Sequence, residues 1–108
     1  MKRLALAAVC LIASLTAAPA HADRETALAA IRATPRVLDA QIDDRGNLWA
    51  IVKNDQVSWT QFATVLCVVV RPHQARVFSA RVVDVTSVGR GRKSSEWKVL
   101  AQANCGAL

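Results

Sequence analysis

The sequence predicts an α+β domain in the order αββαββ, with a four-stranded, mainly antiparallel sheet carrying two helices on one face. Alternating apolar and polar residues at 36–43 and 48–53, and again at 75–85 and 97–105, supply two hairpins. The longer apolar run 58–71 lies between them, with polar residues recurring every third position. A short amphipathic segment ahead of the first hairpin supplies the other helix.

Residues 1–22 come first and read as an address. Lys2 and Arg3 form a positive start, 4–15 is uncharged and apolar, and Ala20-His21-Ala22 places small residues where a signal peptidase reads. The apolar run falls short of the roughly 20 residues that span a bilayer, so it reads as a secretory signal rather than an anchor. Cleavage after Ala22 leaves one small domain, 23–108, working in the periplasm or outside the cell, with no transmembrane segment of its own.

Within that domain, 23–33 is predicted as a helix. Leu28 and Ile31, flanked by Ala27 and Ala30, give it one narrow apolar face; Asp23 can cap it, and Thr34-Pro35 ends it. In 36–43, Leu38, Ala40 and Ile42 face one way, while Asp39, Gln41 and Asp43 face the other. The Asp43-Asp44-Arg45-Gly46-Asn47 stretch is a turn, and 48–53 returns with Leu48, Ala50 and Val52 opposite Trp49 and Ile51. The β-branched content of 58–71 favours strand. Its length, the Ser58/Gln61/Thr64 spacing, a Ser58 cap and the stop at Pro72 favour helix, which is the assignment adopted. In 75–85, Phe78, Ala80 and Val82 share one face; Val77, Val83 and Val85 share the other. In 97–105, Trp97, Val99, Ala101, Ala103 and Cys105 share a face directed at the helices. The 88–95 connection is glycine-rich and basic.

Two cysteines remain after processing, Cys67 and Cys105, and an exported chain with two cysteines admits one internal pairing. Closing that loop of about 38 residues would contribute about 4 kcal/mol through chain entropy, a large share for a domain this small. The absence of a Cys-x-x-Cys pair argues against redox catalysis. Lys2 and Arg3 leave with the signal, so twelve basic residues face eight acidic ones. That balance suits weak attraction to anionic surfaces and is not by itself the mark of a nucleic-acid binder.

No motif carries strong chemistry. His73 is the only histidine after processing and has no nucleophile or orienting group tied to it by a local motif, so it reads as a solvent-facing loop residue. The ligand spacing of zinc or calcium sites is missing, so no metal or other cofactor is expected. Asp39 and Asp43 could pair as a glycosidase does, but acids on the outer face of a hairpin are ordinarily a solvated surface.

Two features could bind. Arg90, Arg92 and Lys93, interleaved with Gly89 and Gly91 and followed by Ser94 and Ser95, could grip phosphate or carboxylate, with Arg71, Arg76 and Arg81 joining if the loops converge. The phosphate-loop spacing is not met, and a plain mobile connection would look the same. Trp49 and Ile51 would stand exposed on the open side of the sheet beside Val77, Val83 and Val85. The favoured reading is an exported, non-catalytic binding or accessory domain meeting a protein of the cell envelope, an inhibitor or immunity role included. A binder of anionic envelope components or nucleic acid through the basic loop is the second reading. A small envelope hydrolase built on His73 is the third.

Overall fold

A computed structural model describes residues 20–89 and 91–107, so the signal peptide read at 1–22 lies almost wholly outside the described residues, as does Arg90. The order is α1 (Ala20–Arg32), β1 (Val37–Ile42), β2 (Asn47–Val52), α2 (Trp59–Val70), β3 (Ser79–Asp84) and β4 (Val99–Asn104), with short 3₁₀ turns between and after them. The α+β class and the αββαββ order are those predicted.

The sheet order is β1-β2-β3-β4; both hairpins are antiparallel, and β2 and β3 run parallel. Parallel neighbours need a crossover, and the segment containing α2 provides it. Both helices cover the same face. Ala27, Leu28 and Ile31 of α1 meet Ala63, Leu66, Cys67 and Val70 of α2 over Ala40, Leu48, Ala50, Val52, Ala80 and Val82 of the sheet. Ser58 caps α2 by accepting from the Gln61 N–H at 3.4 Å. Cys67 on α2 is bonded to Cys105, just beyond β4, with their Cα atoms 5.1 Å apart. The disulfide therefore ties the helix layer to the last strand. Among the described residues, no helix is long and apolar enough to cross a membrane.

Two β-bulges break the alternation assumed from the sequence. Val37 pairs with Val52 and Asp39 with Ile51, leaving Leu38 as the extra residue of β1. Leu38 is therefore 60% exposed instead of buried, and Val37 packs against the core. In β4, Val82 pairs with Ala101 but Val83 with Val99, so Leu100 is the extra residue. Ala101 and Ala103 keep the helix side. Val99 and Trp97 turn to the opposite face, because one inserted residue inverts a period-2 pattern. Two further expectations are corrected at β3, which begins at Ser79 rather than at 75. Val77 joins the helix-side core, and Phe78 is 60% exposed, turned away from Ala80 and Val82.

Candidate functional site

The second face of the sheet is not open. The connection from β3 to β4 leaves Asp84 through a 3₁₀ turn (Val85–Ser87), forms another at Ser94–Glu96, and returns at Trp97. Its two ends are tied together. Asp84 N–H donates to the Lys98 carbonyl at 3.0 Å, and Lys98 N–H donates to Ser87 Oγ at 2.9 Å. Ser87 Oγ in turn donates to the Asp84 carbonyl at 2.6 Å. Thr86 donates both its N–H and its hydroxyl to Asp84, whose carboxyl is held below its ordinary range chiefly by the Thr86 N–H.

That connection lays Trp97 edge-on against Trp49, with ring centroids 5.4 Å apart. Trp49 is consequently only 4% exposed and Val83 is fully buried. The expectation that Trp49 stands exposed with the Val77, Val83 and Val85 row is thus corrected: Val77 faces the helices, Val83 lies covered, and Val85 is half-buried in a 3₁₀ turn. Trp97, expected among the helix-side core, is half-buried on this second face. Ile51, opposite Asp39 and Val83, is half-buried there too.

Arg81 completes the arrangement. Its guanidinium carbon lies 4.8 Å from the Trp49 ring centroid, a cation–π contact. Its Nε is buried and has no hydrogen-bond partner, and the same holds for Trp97 Nε1. A buried donor without a partner costs about 1–3 kcal/mol.

On the other side of Trp49, Asp43 organises the β1–β2 turn. It accepts from Arg45 N–H, Asn47 N–H, the Asn47 side-chain amide and Trp49 Nε1, all at 2.9–3.0 Å. Burial opposes its ionisation, but these donors outweigh it and hold the carboxyl at about 2. Asp43 is therefore a fixed anion with its oxygens occupied, the buttress of the turn rather than a proton donor. Asp39, its suggested partner, instead pairs with Arg32 at 3.2 Å.

Asp43, Asp44, Arg45, Asn47, Trp49, Arg81, Ser94 and Ser95 together line a solvent-open concavity of about 470 Å³. Of the arginines expected to join the basic loop, Arg81 is the one that lines it. Arg92 and Lys93 are exposed on the connection that forms its rim. Sequence reasoning named Arg81 only as an addition to the basic loop, alongside Arg71 and Arg76; its place between Ala80 and Val82 was the signal that set it apart, because a charged side chain mid-strand must face away from the helices. His73 is not free in a loop: it is half-buried in a 3₁₀ turn, its Nδ1 3.1 Å from Thr26 Oγ1 of α1. A second, smaller hollow of about 290 Å³ lies at the exposed bulge, lined by Arg36, Leu38, Lys53, Asn54 and Asp55. Among the described residues, no group of three or more His, Cys, Asp or Glu is placed to hold a metal ion. Comparison with protein-family models, with curated proteins and with solved structures found no match.

Proposed function

We propose that the chain is an exported, non-catalytic binding domain of the cell envelope. It would meet its partner at the second face of the sheet, through an anionic group on that partner. The observation that carries this reading is Arg81: a guanidinium laid on Trp49, on a residue lining a solvent-open concavity. Arginine fixed on an aromatic ring keeps its fork oriented and loses little freedom when an anion arrives. Arg92 and Lys93, exposed on the connection at the rim, would add long-range attraction.

The burial of Trp49 moves the weight of the reading. An apolar interface centred on Trp49 would need the 85–98 connection to lift away, whereas an anionic contact uses the face as it stands.

Affinity capture with the tagged, exported protein supplies the partner, and sequencing its N-terminus checks the expected start at Asp23. Binding is then compared between the parent and the triple variant Arg90→Ala/Arg92→Ala/Lys93→Ala. The variant should bind more weakly, the difference should shrink with added salt, and stability should change by no more than about 0.5 kcal/mol. Binding that is indifferent to salt and to the triple variant would sink the electrostatic reading.

A further inference from the structure

Resting on that reading of a binding domain, the structure also points to the chemistry of the group recognised. We propose that the concavity takes a carboxylate side chain of a protein partner, with Arg81 as its anchor and Asp44 receiving a neighbouring cationic group.

The lining is mixed in charge. Arg45 and Arg81 stand against Asp43 and Asp44. Asp43 has spent its oxygens on four donors of its own turn, so it contributes negative charge without a free acceptor. Its carboxyl, held at about 2, keeps that charge at any physiological pH. A dianionic phosphate entering here would meet two carboxylates. A carboxylate carries half that charge, and its two oxygens match one arginine fork.

Asp44 is exposed, and no hydrogen bond among the described residues uses its carboxylate, so it is available to a cation beside the bound acid. The Ser94 and Ser95 hydroxyls, lining the same concavity, can donate to the remaining lone pairs of those two oxygens. The hollow lies between a turn and a connection and opens to solvent. It would therefore cover one side of a free small molecule, whereas an acidic residue projecting from a larger surface gains further contacts from the rim, where Arg92 and Lys93 are exposed. The partner segment that fits is an acidic residue next to a basic one.

The test follows the Nε–H signals of the arginines and the indole N–H signals of Trp49 and Trp97 by nuclear magnetic resonance in the exported protein. The probes are an acetyl-Glu-Lys-amide peptide, its Gln-Lys counterpart, free glutamate and inorganic phosphate, at one ionic strength. The expected result is a saturable shift of the Arg81 and tryptophan signals with the Glu-Lys peptide, weakened roughly tenfold when Gln replaces Glu. Arg81→Lys keeps the charge over Trp49 and loses the fork; the rest of its spectrum checks that it folds, and it should lose the response.

Phosphate shifting the Arg81 signal as strongly as the peptide would overturn carboxylate selectivity. Equal saturation by free glutamate would overturn the protein side chain as source. Shifts confined to Arg90 and Arg92 would overturn the Arg81 site while leaving the electrostatic reading in place. If no probe shifts these signals and a captured partner still binds Arg81→Lys, this inference falls and the binding domain stands. If no partner is captured either, both fall.

Discussion

Trp97 meets Trp49 edge to face, ring planes at 90° and centroids 5.4 Å apart, and Trp49 in turn supports the guanidinium of Arg81. One indole comes from a central strand and the other from the connection folded over it. Trp49 is thus the floor of a small second core and not a surface anchor. Trp49→Ala should destabilise the domain by about 3–5 kcal/mol, as measured by denaturant unfolding, because a large buried ring leaves a cavity. Trp97→Phe should cost far less, since the lost indole N–H is the one without a partner. A stability for Trp49→Ala equal to the parent's would contradict the covered face.

The β1–β2 turn responds to acid. The Asp43 carboxyl titrates at about 2 in the folded chain, below its ordinary value of 3.8. A group whose folded value is depressed stabilises the fold above its unfolded value and loses that contribution as pH falls through the folded value. Stability should therefore decline between about pH 4 and pH 2, and Asp43→Asn should flatten this part of the profile. The contribution is on the order of 1 kcal/mol once solvent screening at this part-exposed turn is allowed for. Chemical denaturation of parent and variant across that range makes the comparison.

Gly46 and Gly91 separate two reasons for glycine. Both have positive φ, 81° and 71° respectively. A Cβ on Gly46 would lie 2.5 Å from Phe78 Cδ2 and 2.8 Å from the Arg76 carbonyl, whereas none lies within 4 Å of one on Gly91. Gly91→Ala should cost about 1 kcal/mol from the left-handed backbone alone. Gly46→Ala should cost about 1–3 kcal/mol more, because the Arg76 carbonyl is backbone and cannot swing aside. Paired unfolding curves decide it; equal losses would mean that Phe78 and the Arg76 carbonyl do not press on the turn.

The disulfide is the fourth lever. Cys67→Ala/Cys105→Ala opens a loop of 38 residues and should lower stability by about 4 kcal/mol on the chain-entropy account. Mass measurement of the parent with and without reductant should differ by two hydrogen atoms. Two accessible thiols in the native oxidised protein would refute the bond.

Much of the fold is legible in local sequence. The Ser58 cap, the polar spacing at 58, 61 and 64 and the stop at Pro72 are short-range signals, and α2 spans Trp59–Val70 accordingly. The cysteine pairing followed from count and from the side of the sheet each residue occupies. The errors of facing in β1 and β4 share one cause. Leu38 and Leu100 carry no mark of being bulge residues, yet each bulge inverts the alternation in its strand, sending Leu38 to solvent and Trp97 to the other face. Arg81 was named only alongside Arg71 and Arg76, because its particular role depends on what lies across it.

Taken alone, the sequence determined the elements, their order and the staple, because capping, periodicity and turn chemistry act within a few residues of each other. Tertiary structure alone decided that β2 and β3 run parallel at the centre of the sheet, and that the 85–98 connection closes over Trp49. Strand pairing and loop docking depend on contacts between residues far apart in the chain, and a single inserted residue in a strand reverses which side chains those contacts can reach.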